Sequence, residues 1–110
     1  MSKWKSAYRK NVESTAVRVL IDSGINFAIS SQRISFDRNS PMISIAFDVE
    51  LEKENISFFI EEFTLALRKG GWLVVEPAFR LVELSLEDKT ITVSSASDTK
   101  LIVEYKFNEH

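Results

Sequence analysis

The chain has 110 residues, 45% of them hydrophobic and 27% charged, and its 14 basic and 16 acidic side chains leave a net charge of −2. Such a chain reads as one domain, 1–110, which buries on the order of 65% of the surface its unfolded form exposes and is too apolar to stay disordered. It has no cysteine, which removes disulfide frameworks, thiolate zinc sites and cysteine nucleophiles together, and its charge balance argues against a general nucleic-acid coat.

From Trp4, the residues Tyr8, Val12, Ala16 and Leu20 recur at every fourth position with Ala7, Thr15 and Val19 beside them. That spacing is the stripe of an amphipathic helix, predicted over 4–22, with Gly24 supplying the left-handed residue that closes it. Lys3, Lys5, Arg9, Lys10 and Arg18 fall mainly off the stripe, opposed only by Glu13. Phe27 and Ile29 then alternate with polar neighbours, and Ile34 and Phe36 do so in the opposite phase. Two short strands, or one strand broken near Ser31 to Arg33, are expected. Asp37-Arg38-Asn39-Ser40-Pro41 reads as a loop.

Ile43, Ile45, Phe47, Val49 and Leu51 alternate against Ser44, Ala46, Asp48, Glu50 and Glu52, which predicts a long antiparallel strand with one buried and one wet face. That strand is either paired on both sides or presents an open edge to which another chain adds by main-chain hydrogen bonds. Asn55 is the expected N-cap of a second helix whose inner stripe is Ile56, Phe59, Ile60, Phe63, Ala66 and Leu67, with Arg68 and Lys69 suited to its C-terminal end. Gly70-Gly71 ends it, and the apolar run from Trp72 to Val75 is expected to stop at Pro77. Val82, Leu84 and Leu86 alternate, Leu86-Glu87-Asp88-Lys89 turns the chain into Ile91 and Val93, and Ser97-Asp98-Thr99 turns it into Leu101, Val103, Tyr105 and Phe107. The expected fold is α+β: a mainly antiparallel sheet with two helices packed on one face, in the order α-β-β-α-β-β-β.

The chemistry-bearing residues are sparse. The single histidine is the last residue, His110, which excludes a histidine-dependent triad. Three glycines, Gly24, Gly70 and Gly71, cannot build a phosphate-cradling loop. The carboxylate pairs Glu50 with Glu52 and Glu61 with Glu62 do not converge on a pocket and read as solvated groups. Phe47, Phe59, Phe63, Tyr105 and Phe107 occupy the inward registers of a core, which leaves Trp4 among Lys3, Lys5 and Arg9 as the exposed aromatic. No enzyme activity, metal, cofactor or small-molecule substrate is implied, nucleic acid is not the expected partner, and no apolar stretch reaches the ~18 residues of a membrane span. A cytoplasmic location is expected.

Uncharged stretches such as Ser94-Ser95-Ala96-Ser97 and Ser30-Ser31-Gln32 stand where a monomer normally carries charge. The element order, with Ser31-Gln32-Arg33, Asp37 and Ser40-Pro41-Met42-Ile43-Ser44-Ile45-Ala46-Phe47, resembles the tail-terminator or minor tail protein U-like family of long-tailed bacteriophages. The likeness extends loosely through the second helix and the last strand. One departure is that Leu51 leads through Glu52-Lys53-Glu54 directly into the helix, where that family has a further strand. The resemblance implies a structural protein that assembles as a hexameric ring on a tail tube and meets other tail or head-completion proteins, in the host cytoplasm and then in the virion. A closed ring needs two unlike surfaces per subunit. The basic face of Lys5, Arg9 and Arg18 and the acidic ladder of Asp48, Glu50 and Glu52 are the opposite-sign patches available for it. The same composition also suits a small regulatory or inhibitory module that binds a host protein.

Overall fold

The computed structural model describes residues 2–36, 38–78, 81–86 and 89–108, and the side chains of residues 2–11, 75–78, 81 and 86 are outside that description. Helix α1 spans Ser2–Asp22 and α2 spans Ile56–Lys69. The strands are β1 (Phe27–Ile29), β2 (Arg33–Phe36), β3 (Met42–Leu51), β4 (Leu73–Ala78), β5 (Leu81–Leu86), β6 (Lys89–Ser95) and β7 (Lys100–Asn108). They form one seven-stranded sheet in the order β1-β3-β7-β6-β5-β4, with β2 pairing β3 on the same side as β1, and every described pair is antiparallel.

The α+β reading therefore holds, with three strands before α2 and four after it, the upper end of the two or three and three or four that the periodicity allows and one more in each half than the order α-β-β-α-β-β-β. The break expected near Ser31 to Arg33 separates β1 from β2. Phe27 and Ile29 lie opposite Leu51 and Val49, while Ile34 and Phe36 lie opposite Ile45 and Ile43, one register step further on. One additional residue at Ser31–Gln32 is a β-bulge, and it returns odd-numbered and even-numbered apolar residues to the same face. Ser30 holds the break in place: its N–H donates to the Asp48 carbonyl at 3.0 Å, and its Oγ accepts from the Asp48 N–H at 2.8 Å. Gln32 donates from Nε2 to Glu13 of α1, so the bulge is also tied to the helical layer.

The apolar side chains on the inward phase of β3, β7, β6 and β5 are buried among the described residues. Ile43, Ile45, Phe47, Val49 and Leu51 of β3 join Leu101, Val103, Tyr105 and Phe107 of β7, Ile91 and Val93 of β6, and Val82 and Leu84 of β5. Val12, Ala16 and Leu20 of α1 and Phe59, Phe63 and Leu67 of α2 close the same cluster, which puts both helices on one face. Ile60, expected in that core, is half-buried at its margin. Burial of this aromatic and aliphatic surface is the main favourable term of the fold.

Both helices end in the same device. Ile25 N–H donates to the Leu20 carbonyl and Gly24 N–H to that of Ile21; Trp72 N–H donates to the Leu67 carbonyl and Gly71 N–H to that of Arg68. This is the Schellman arrangement, which needs a left-handed residue at the first non-helical position, and Gly24 (φ 67°) and Gly71 (φ 101°) supply it. The second closure seats Trp72 edge-on against Tyr105, with ring centroids 6.0 Å apart. Two details of the sequence reading are corrected. Asn55 makes no side-chain cap, because a 3₁₀ turn over Lys53–Asn55 winds directly into α2. The strand after Trp72 also does not stop at Pro77: β4 continues to Ala78 through an irregular register, since an edge strand tolerates the missing N–H. The Glu87–Asp88 turn and Asp37 lie outside the described residues, although Leu86 and Lys89 pair across the former.

Phe63 is fully buried and stacks on Phe59 at 5.3 Å, so Phe63→Ala is expected to lower unfolding stability by about 3–5 kcal/mol in denaturant titration. Gly71→Ala forces a side chain into the left-handed region and should cost about 1–2 kcal/mol. Gly70 has φ −85°, so Gly70→Ala should cost less. Equal losses at the two glycines would contradict the assigned closure.

Candidate functional site

The charged residues expected to form an interface fall on different layers. Arg18 is exposed on α1, while Asp48 and Glu50 occupy the outward phase of β3, on the opposite side of the sheet from the helices. Glu52 is exposed just beyond the strand end. Lys5 and Arg9 belong to α1, but their side chains lie outside the described residues, as does Trp4. The structure also interleaves the acidic ladder with cations. Arg33 Nη2 donates to Asp48 Oδ1 at 2.8 Å, and that hydrogen bond raises the guanidinium pKa above its ordinary value. Glu50 is flanked in register by Ala28 on one side and Lys100 on the other.

Elsewhere the outer face of the sheet is mostly polar, with Ile102 of β7 between Asp48 and Ser94. Ser44 Oγ donates to Glu104 Oε2 at 2.9 Å, and Lys106 lies 3.6 Å from the other oxygen of the same carboxylate. Thr90, Thr92, Ser94 and Ser85 fill the neighbouring outward positions of β6 and β5. Among the described residues no group of three or more His, Cys, Asp or Glu is placed to hold a metal ion. No described helix is long and apolar enough to cross a membrane.

Two apolar surfaces that the periodicity does not announce lie on opposite sides of the molecule. The first is on the outermost strand segment: Ile34 and Phe36 of β2 take the inward phase but lie beyond the helical cover, 47% and 67% exposed. β3 itself is paired on both edges, by β7 and by β1 with β2, so the exposed edges belong to β1/β2 and β4. The second surface is on α2, where Phe58 (46%) and Leu65 (45%) are exposed, while Leu73 (69%), at the start of β4, lies opposite Ser85 and takes the outward phase of the sheet. Alongside it runs an open groove of about 1200 Å³ between α2 and the β4–β5 end of the sheet, floored by Ile56, Ile60, Val74 and Val82. Glu61, Glu62 and Arg68 rim it. The carboxylate pair Glu61 and Glu62 thus borders a groove instead of standing in open solvent.

The one readable signal for the second surface is a spacing. Phe58 and Leu65 are seven residues apart, two helical turns, on the side of α2 opposite Phe63 and Leu67. The first surface has no such signal, because alternation marks the face of a strand and not whether a helix covers it.

Thr64 lines the groove, and its Oγ1 is buried with no hydrogen-bond partner among the described residues. An unsatisfied buried hydroxyl is unfavourable, so the isosteric Thr64→Val is expected to leave thermal stability unchanged or raise it. A clear fall in melting temperature would show that the hydroxyl is satisfied in solution. No protein-family model, no curated protein and no solved structure matches this chain.

Proposed function

We propose that this chain is a non-enzymatic assembly protein that acts by associating with copies of itself. In its most specific form it is the ring-forming component at the end of a phage or phage-like tail that the sequence resemblance implies, in contact with further tail or head-completion proteins. The observation that carries the reading is the placement of Ile34 and Phe36 on the outermost strand, exposed on the face that elsewhere is core. An uncovered strand with apolar side chains is a template for a further chain, and isolated globular domains usually blunt such edges with charge. The division of charge supports a head-to-tail arrangement. Arg18 projects from the helical layer and Glu50 from the opposite layer, so two copies stacked in the same orientation bring unlike surfaces together.

Light scattering on a size-exclusion column tests this across a range of protein concentrations. The expected result is a multimer whose mass falls when Ile34 and Phe36 are both replaced by Lys, with the circular dichroism spectrum retained. Arg18→Glu is expected to slow assembly while changing stability by no more than about 0.5 kcal/mol. A monomer at every concentration would overturn the reading and shift it to a small regulatory module that binds a host protein.

A further inference from the structure

We propose that two copies of this chain pack α2 against α2 in antiparallel fashion across a two-fold axis centred on Leu65. This rests on the self-association reading and adds a second contact to it.

The argument starts from the helix surface. Phe58 and Leu65 form its outermost line, directly away from the buried Phe59, Phe63 and Leu67. Glu61 and Arg68 flank that line on one side, and Glu62 and Lys69 flank it on the other, as the 100° step between helical residues requires. Each acid is seven residues from the base on its own flank, about 10 Å along the axis, which is beyond the three- or four-residue spacing at which charges pair within a helix. The described ion pairs include none of the four.

An antiparallel partner changes those distances. Measured along the axis from Leu65, Glu61 lies about 6 Å towards the N-terminus and Arg68 about 4.5 Å towards the C-terminus, given 1.5 Å per residue. Reversing the second helix about Leu65 sets the partner's Arg68 beside Glu61, within about 1.5 Å along the axis. The same operation sets the partner's Lys69 beside Glu62. Because the axis is two-fold, both matches occur twice, so four carboxylates meet four cations. The apolar line is matched at its centre, where Leu65 meets its own counterpart, while Phe58, about 10 Å along the axis from Leu65, extends past the end of the partner's helix. A parallel pairing would instead set acid against acid and base against base. The charge order along α2 therefore selects the antiparallel second copy, with apolar contact supplying affinity and the charges supplying register.

Charge exchange tests the contact. One variant carries Glu61→Lys with Glu62→Lys, and a second carries Arg68→Glu with Lys69→Glu. Each alone faces its own copy with like charge and is expected to weaken the association by roughly tenfold or more. Mixed one to one, the two variants present opposite charge at every contact and are expected to associate at least as well as the unmodified protein. Leu65→Lys is expected to remove the contact outright, and circular dichroism confirms the fold of each variant. If the unmodified protein is multimeric but the separate variants associate like it, or mixing them restores nothing, the α2 contact is wrong and self-association through another surface stands. A monomeric unmodified protein at every concentration removes both.

Discussion

The fold depends on the last strand entering the middle of the sheet. β7 pairs with β3 from the first half of the chain and with β6 from the second, over nine and seven residue pairs respectively. Its inward residues Leu101, Val103, Tyr105 and Phe107 are the floor on which both helices rest. Tyr105 is the centre of that floor: Ile45 and Ile91 lie on either side in register, Phe107 stacks beside it at 5.1 Å, and Trp72 meets it from above. The β3–β7 ladder joins residues some fifty to sixty-six positions apart, from Glu50 with Lys100 to Met42 with Asn108. Contacts of such separation close large loops and form late relative to local hairpins. The meander β4–β7 consists of adjacent antiparallel pairs and has no such requirement, so the docking of β3 on β7 is the step that makes one core of two parts.

α2 is the element that permits this. It leaves the end of β3 and crosses the helical face to deliver the chain to β4, at the far edge of the sheet. The meander then works back until β7 meets β3. The crossing has a geometric consequence for the surface. Six strand positions at about 4.8 Å span roughly 24 Å between outermost axes before side chains are added, whereas two helices packed 8–10 Å apart cover about 20 Å. Two helices therefore cannot roof the whole sheet, and both flanks are left open. One flank exposes Ile34 and Phe36; the other becomes the groove between α2 and β4–β5. The exposed apolar residues are thus a product of topology and not scattered accidents of composition.

This also explains which parts were legible in the sequence. Strand β3 and the inner residues of α2 announced themselves because each has one face in water and one in the core, and the alternation of Ile43 to Leu51 against polar neighbours has no other simple reading. The glycine closures were legible for a similar reason: a positive φ is a local requirement that Gly24 and Gly71 satisfy. The N-cap at Asn55 failed because a 3₁₀ turn satisfied the helix start by another route, and Pro77 misled because the strand containing it proved to be an edge. The candidate surfaces were hidden. Phe36 and Ile34 obey the inward phase like any core residue, and only the width of the helical layer decides that they are exposed. The acidic ladder was read correctly as outward-facing, but Arg33 and Lys100 come from other strands and enter it only through the sheet register.

The two kinds of contact proposed have different consequences for the assembly. A contact between unlike surfaces, such as the helical layer of one copy against the outer sheet face of the next, repeats with a constant rotation and yields a ring when the rotation closes or a filament when it does not. A two-fold contact through α2 is self-limiting, because it consumes the same surface on both partners and stops at a pair. Where a subunit has both, the ring contact fixes the number of copies around the axis, and the two-fold contact relates one such ring to another of opposite polarity. The apolar line of α2 is short, Phe58 and Leu65, and is bordered by charges that salt screens. A small, charge-registered contact of this type weakens as salt rises, whereas strand addition at β2, made of main-chain hydrogen bonds, would depend on salt less.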